Sequence, residues 1–299
     1  MALIGHTHIV DYFKKVMAAK NESHAYLFVG LPKIGKMTAA RTIAQELLGV
    51  SEKQFETHPD VLILERGVNE KTGKTNKQIG IESMRAALSF LQSKPFVGSR
   101  KIVIVDGAEH MSIAAANALL KSLEEPAKGT HIFLLATDET RMPATIRSRT
   151  QRLLFSPVPQ TVLASALATF DDMTESRADM MAQYARGCPG IALEWIEDND
   201  AYNAYLGEVE RFASLRGMPL YQKMQTVEPL FGDKKDHIAT RTKLKETLGI
   251  WQLALRDSMI EADVAGGIAI EQAIREARAQ LDNNIHPKLL VEHILLAIP

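Results

Sequence analysis

Residues 30–36 read Gly30-Leu31-Pro32-Lys33-Ile34-Gly35-Lys36 and match the first seven positions of a P-loop. The two glycines let the backbone fold tightly around phosphate oxygens, so that consecutive N–H groups at a helix start can donate to the anion. A short apolar run at residues 26–29 precedes the loop, and apolar residues at helical spacing follow it over residues 38–48. This strand–loop–helix context predicts a phosphate-binding turn in which Lys36 reaches the β- and γ-phosphates.

The apolar pattern continues outward from this loop through the first half of the chain. Further buried strands are predicted at residues 61–64, 102–105, 132–136 and 152–155. Helices are predicted at residues 81–91 and 112–124, the second with Ser112 as its cap and Pro126 as its stop. Strands that alternate with helices predict an α/β fold with a doubly wound parallel sheet and helices on both faces.

After Pro157 the strand signals end and only helical patterns remain. We therefore predict three domains, at residues 1–157, 158–200 and 201–299. The first is the α/β P-loop domain, the second a small helical lid, and the third an all-α domain of longer amphipathic helices. Helix breaks are predicted at residues 187, 189 and 190 in the lid, and near residues 217–219, 232, 266–267 and 287 in the third domain.

The composition fits a globular protein and excludes several other classes. Apolar residues make up 46% and charged residues 24% of the 299 residues, which excludes disorder and collagen-like repeats. A single cysteine, Cys188, excludes a disulfide framework and a Cys-rich zinc module. No apolar run reaches about 18 residues and the N-terminus lacks a secretion signal, so we expect a cytoplasmic protein with no membrane association.

Positive charge is concentrated in the first half of the chain. Residues 1–155 hold 21 Lys and Arg against 15 Asp and Glu, whereas residues 156–299 hold 14 against 21. A basic half suggests that phosphate groups are handled there, although an ordinary solvated surface explains the same numbers.

Two positions depart from a working P-loop ATPase. Met37 stands where a Ser or Thr hydroxyl ligates Mg²⁺, and a thioether is a poor ligand for a hard cation. Asp106 ends the third strand, where P-loop proteins carry an acid that helps to hold Mg²⁺, and an Asp that caps the strand end is the alternative. Gly107 follows it, where ATPases of the AAA+ type usually carry a Glu that activates water, and Glu109 is not expected to replace that Glu. We predict weak nucleotide binding and impaired hydrolysis.

Several stretches resemble bacterial clamp-loader subunits, which are AAA+ proteins. The most specific runs from Asn117 to Pro126 and reads NALLKSLEEP. A second, Thr145-Ile146-Arg147-Ser148-Arg149, resembles the family's Ser-Arg-Cys element, with Thr150 in place of Cys. Further resemblance lies at residues 24–28 (HAYLF), 58–61 (HPDV), 79–85 (IGIESMR), 95–101 (PFVGSRK) and 284–296 (NIHPKLLVEHILL).

The resemblance implies a fold and a role. The fold is an AAA+ domain followed by a helical lid and an all-α C-terminal collar domain that mediates oligomerisation. Four features of the chain resemble the delta-prime type of subunit. They are Met37, Gly107, the absence of cysteines from residues 49–60, and Ile191 at the position of the lid's usual nucleotide-sensing Arg. Such a subunit is the non-motor stator of the DNA polymerase III clamp loader, which opens the sliding clamp and loads it on primed DNA.

The resemblance also suggests roles for individual residues. Arg149 corresponds to an arginine finger supplied in trans to a neighbouring ATPase subunit. Arg147 is its nearest competitor, and an ion pair within the domain is the alternative role for Arg149. Thr137 occupies the place of the family's first sensor, or is simply the Thr after a strand. The degenerate nucleotide site would comprise Gly30, Gly35, Lys36, Met37, Asp106 and Thr137.

The implied cofactors and partners follow from the same resemblance. No cofactor is assigned with certainty, and ATP or ADP with weak Mg²⁺ dependence is the candidate. No zinc is expected, since the nine histidines show no HxxxH spacing and no pairing with cysteines. The partners would be the motor (tau/gamma) and delta subunits, and, through the assembly, the clamp and primed DNA. The chain would be an ATPase-defective accessory subunit of a polymerase holoenzyme. The alternatives are an ATP-hydrolysing, tau/gamma-like motor subunit and another AAA+ replication factor.

We expect His6 and His8 at the surface.

Overall fold

The computed structural model describes residues 3–19, 21–67, 76–231, 237–261, 264–281, 283 and 285–299, with the backbone alone at residues 237–239, 259–261 and 264–265. The chain divides into two compact units, Met1–Leu193 and Glu194–Pro299. The finer division into three domains, with boundaries after residues 157 and 200, stays a prediction.

The first unit is built around a sheet of five parallel strands in the order β2-β3-β4-β1-β5. All five predicted strands are confirmed, and their neighbours pair in parallel. The strands β3, β4 and β1 are central and almost wholly buried, because helices cover both faces of a doubly wound sheet. The bounds are β1 Ala25–Gly30, β2 Val61–Leu64, β3 Lys101–Asp106, β4 Thr130–Ala136 and β5 Gln151–Phe155.

Helices pack on both faces of this sheet. Alternate residues of each strand point to opposite faces, so Leu27 packs in the core beneath α4 and α5, while Phe28 packs in the core beneath α1 and α2. Ser112 caps α5 through its hydroxyl, as predicted. The helices of this unit are α1 Thr7–Ala18, α2 Lys36–Leu48, α3 Glu52–Phe55, α4 Ile81–Gln92, α5 Ile113–Glu124, α6 Ala144–Arg147, α7 Gln160–Leu167 and α8 Glu175–Ala185.

The next helix, α9 (Pro189–Glu197), corrects two of the three break positions predicted at residues 187, 189 and 190. Pro189 and Gly190 do not interrupt a helix but begin one. Proline suits the first helical position, because its missing N–H would have no helical partner there and its φ is already helical. The predicted break at Gly187 is confirmed, because this residue lies between α8 and α9 and its φ of +73° lies in the left-handed region.

The second unit is helical throughout its described elements, and Trp251 lies fully buried at its centre with its ring 5.4 Å from that of Phe212. The predicted breaks near residues 217–219 and 287 are confirmed, whereas residue 232 lies outside the described residues. The break predicted near Gly266 and Gly267 lies a few residues earlier, since α12 ends at Glu261 and α13 begins at Val264. α13 runs through both glycines, because packing against neighbouring helices outweighs the weak helix propensity of glycine. The helices are α10 Asn199–Ser214, α11 Leu220–Val227, α12 His237–Glu261, α13 Val264–Gln280 and α14 Pro287–Ala297.

None of the described helices combines the length and apolar character that a membrane crossing requires.

Candidate functional site

The strand order brings the predicted nucleotide-site residues to one edge of the sheet. Gly30 ends β1, Asp106 ends β3, and Thr137 follows β4, which lies between those two strands. Because the strands are parallel, their carboxyl ends meet at the same edge, where doubly wound sheets bind ligands.

The P-loop folds as the motif predicts, and its lysine bonds to the loop itself. Gly35 adopts a left-handed φ of +108° and leads directly into α2. The Lys36 ammonium donates to the carbonyl oxygens of Gly30 at 2.6 Å and Leu31 at 2.8 Å, and the residue is buried. Burial lowers the pKa of Lys36, while the carboxylates of Asp106 and Glu109 oppose this shift.

The two departures from an active ATPase have structural counterparts. Met37 is half-buried and packs against the core between the sheet and α1–α2, which suits a thioether and not a metal ligand. Gly107 has a φ of +71°, and a Cβ built there would lie 3.2 Å from the His110 ring. A glutamate at position 107 would therefore strain this backbone. Burial raises the pKa of Asp106, and the Lys36 ammonium opposes the rise.

Glu109 belongs to the site, a role that we did not predict from the sequence. It lies in a single 3₁₀ turn, Ala108–His110, and its side chain is only 5% exposed. Its Oε1 accepts the backbone N–H of Thr137 at 3.0 Å, whereas its Oε2 has no hydrogen-bond partner within the described part of the chain. The signal in the sequence was Gly107 directly after the strand, since a left-handed turn at that glycine returns the second following residue, Glu109, to the strand end.

The N-terminal segment also contacts the P-loop, and here the sequence-based expectation was wrong. His6 is buried, with its Nε2 3.1 Å from the Ile34 carbonyl oxygen and its ring 4.8 Å from that of Phe155, while His8 is exposed as expected. Left-handed backbone at Gly5 and His6 turns the side chain inward. Burial lowers the pKa of His6, so the neutral ring donates its Nε2 hydrogen to Ile34.

The start of α9 lies directly on the P-loop. The Gly190 N–H donates to the Lys33 carbonyl oxygen at 2.8 Å, and a Cβ at Gly190 would come within 2.9 Å of that oxygen. Cys188, two residues earlier, is buried, and burial raises the pKa of its thiol, which disfavours a nucleophilic thiolate.

Arg149 lies between α6 and β5, partly exposed to solvent. Its Nη2 lies 2.7 Å from Oε1 of Glu124, and its Nη1 donates to the Thr145 carbonyl oxygen at 3.1 Å and to the Ser148 hydroxyl at 3.4 Å. An ion pair within the domain is therefore present, yet 37% of the Arg149 side chain remains accessible. Arg147 is exposed and forms no ion pair with the residues that the structure describes.

No three His, Cys, Asp or Glu side chains gather as a metal-binding group anywhere in the described ranges.

Known proteins resemble the chain in sequence and in fold. The model of the family described as DNA polymerase III, delta subunit, matches residues 5–159. DNA polymerase III subunit delta' of Pseudomonas aeruginosa is 34% identical over 141 residues, which are 42% of this chain and 41% of that protein. DNA polymerase III subunit delta' of Bacillus subtilis is 26% identical over 310 aligned positions that cover 92% of this chain and 91% of that protein.

A DNA polymerase III gamma subunit-related protein of Thermotoga maritima superimposes with a TM-score of 0.55 at 17% identity, covering 95% of this chain and 97% of that one. This likeness confirms the AAA+ fold expected from the sequence. Because the family match spans more than half of the chain, the chain belongs to the DNA polymerase III delta subunit family, and its resemblance to the delta-prime type of bacterial clamp-loader subunit is confirmed.

Proposed function

We propose that the chain is the non-motor, delta-prime-type subunit of a DNA polymerase III clamp loader, which opens the sliding clamp and loads it on primed DNA in replication. The observation that carries this proposal is the left-handed backbone at Gly107, a position where a catalytic glutamate would be strained. Met37 adds a second, independent defect, because its half-buried thioether packs against the core and offers no hydroxyl to Mg²⁺.

Nucleotide is not required for this role. The glycines of the loop and the left-handed Gly35 still offer backbone N–H groups to a phosphate, so ATP or ADP could bind with weak Mg²⁺ dependence. The phosphoryl transfer itself needs charge neutralisation by the metal and an oriented water, and both depend on the missing side chains. The isolated chain should therefore hydrolyse ATP at a negligible rate.

Arg149 would act at a neighbouring subunit. Its guanidinium is permanently charged, presents a planar fork of donors, and is partly exposed on the surface of the first unit. Placed against the γ-phosphate of an ATP bound by the adjacent motor subunit, it would stabilise the charge that develops there. Arginine fingers in related phosphoryl-transfer systems contribute about 10³–10⁵ in rate.

The proposed partners are the motor (tau/gamma) and delta subunits, with the clamp and primed DNA contacted through the assembly. In this scheme residues 158–200 form the lid, residues 201–299 form the collar that holds the subunits together, and the protein works in the cytoplasm. Contacts of the basic first half with DNA would go to phosphates and carry no sequence preference.

The decisive test is ATP hydrolysis by a reconstituted loader with clamp and primed DNA. Arg149→Ala should lower turnover at the completed site by roughly 10³-fold or more without loss of assembly, whereas the matched control Arg147→Ala should not. Unchanged turnover with Arg149→Ala would remove the finger role.

The alternative function is an ATP-hydrolysing motor subunit like tau/gamma. The buried Glu109 carboxylate, which interacts electrostatically with Lys36 and Asp106, is the observation that favours it. Turnover of Mg²⁺-ATP by the isolated chain, lost in Lys36→Ala, would establish this alternative. Failure to co-purify with any polymerase subunit would instead favour another AAA+ replication factor.

A further inference from the structure

An ion pair joins the two stretches of sequence that carry the family resemblance most specifically. Glu124 is the last residue of α5 and belongs to the stretch at residues 117–126, whereas Arg149 ends the stretch at residues 145–149. Their side chains meet at 2.7 Å. The role proposed for Arg149 does not account for Glu124.

The position of Glu124 is unfavourable for the helix that carries it. The C-terminal end of a helix carries partial negative charge, so a carboxylate in the last turn is unfavourable where a cation would be favourable. Lys121 occupies the same turn and already suits that end of the helix. The carboxylate of Glu124 therefore interacts favourably with Arg149 and unfavourably with the end of α5.

The contacts of Arg149 hold its guanidinium from two sides. Glu124 engages Nη2, while the Thr145 carbonyl oxygen and the Ser148 hydroxyl engage Nη1. The remaining donors are the Nε–H and the second hydrogen of Nη2, and the side chain is 37% exposed. A guanidinium held in this way has lost rotational freedom before any phosphate arrives, so less entropy is lost when it binds one.

We propose that Glu124 is a positioning residue for Arg149, orienting its guanidinium toward the phosphate of a nucleotide bound by a neighbouring subunit. This inference rests on the proposed finger role of Arg149. Glu124 touches no substrate in this scheme and acts only through the arginine.

The test uses the reconstituted loader and the variants Glu124→Gln, Glu124→Asp and Arg149→Ala. Glu124→Gln should lower kcat for ATP by roughly three- to tenfold, because an exposed ion pair contributes far less than the finger itself. The KM for ATP should stay unchanged, since the arginine acts in the transition state, and Glu124→Asp should restore part of kcat. In Arg149→Ala loaders, adding Glu124→Gln should cause no further loss.

The matched control is Glu125→Gln, which removes a neighbouring exposed carboxylate that forms no ion pair with the described residues. It should leave kcat unchanged. In the free chain, NMR of the Arg149 Nε–H should show greater side-chain mobility in Glu124→Gln but not in Glu125→Gln.

The outcomes separate the two proposals. If kcat falls strongly with Arg149→Ala but not with Glu124→Gln, the positioning role of Glu124 is overturned and the finger role stands. The positioning role is also overturned if Glu125→Gln lowers kcat as much as Glu124→Gln does. A rise in kcat with Glu124→Gln would show that the carboxylate restrains the arginine and would also overturn it. No loss with Arg149→Ala overturns the finger role itself.

Discussion

Oε1 of Glu109 accepts the backbone N–H of Thr137 at 3.0 Å and so joins the turn after β3 to the end of β4. The Glu109 carboxylate, two residues beyond Gly107, is thus engaged by the first backbone N–H after β4. The bond holds two neighbouring strand ends together without nucleotide.

We expect Glu109→Gln to leave ATP turnover of the assembled loader within about twofold of wild type, a change of well under 1 kcal/mol in the activation free energy. The amide oxygen can still accept the Thr137 N–H, while the negative charge that a general base needs is lost. Steady-state ATP hydrolysis by the reconstituted complex measures this. A fall of tenfold or more would identify Glu109 as a catalytic base and favour the motor alternative.

Gly190→Ala should loosen the contact between α9 and the P-loop. The new methyl group would meet the Lys33 carbonyl oxygen at 2.9 Å, and overpacking of this kind costs about 1–3 kcal/mol. Amide hydrogen exchange at residues 190 and 191 should accelerate. Gly207→Ala is the matched control, because nothing lies within 4 Å of its Cβ position, and it should leave these amides unchanged. Equal exchange rates in both variants would contradict the predicted steric clash.

Asp60→Asn should destabilise the loop before β3. The fully buried Asp60 carboxylate accepts the N–H groups of Phe96 and Val97, each at 2.7 Å. An amide can accept only one of them and places its own donor against the other, so we expect the free energy of unfolding to fall by about 2–3 kcal/mol. Urea unfolding measures the change.

The control for that experiment is Asp11→Asn on the exposed face of α1, which should stay within about 0.5 kcal/mol of wild type. A loss no greater in Asp60→Asn than in this control would show that the loop does not depend on the carboxylate.

The free energy of unfolding should fall in mild acid, because His131 is buried in its neutral form. Burial lowers its pKa, the nearby Arg100 lowers it further, and the Ser23 carbonyl oxygen, 3.3 Å from Nδ1, and the Glu22 carboxylate oppose the shift. Below a pH of about 6.5 the unfolded chain therefore binds a proton that the folded chain resists. The contribution of neutral His131 to the free energy of unfolding is complete above that pH. It is lost as the pH falls through the depressed pKa of His131 in the folded state.

Unfolding free energies at a pH of about 7.5 and of about 5.5 measure this effect. His131→Gln should reduce the difference between the two, and His8→Gln, at an exposed position, should not. If the unfolding free energies at the two pH values differ as much in His131→Gln as in wild type, other groups cause the acid sensitivity. The buried His6 is the first of these to examine.

The fold could be predicted well from the sequence where local patterns determine it. Buried strands of a parallel sheet are short apolar runs, and all five were found. The break between α12 and α13 was placed a few residues too late, at Gly266–Gly267, because tertiary packing keeps both glycines within α13. The prediction failed at His6, where a left-handed turn buries a polar ring. Packing between helices, and a left-handed turn at a residue other than glycine such as His6, cannot be read from the types of neighbouring residues.

The sequence alone was enough to recognise the P-loop motif, its departures from the ATPase pattern at Met37 and Gly107, the alternation of strands and helices, and the resemblance to the family to which the chain belongs. These features depend on residues that are adjacent or regularly spaced along the chain. Three contacts became visible only in the three-dimensional structure. They are the hydrogen bonds from Thr137 to Glu109 and from Gly190 to Lys33, and the ion pair of Glu124 with Arg149. Each of these pairs is distant in sequence, and its contact exists only because the sheet order and the packing of helices bring the partners within hydrogen-bond distance.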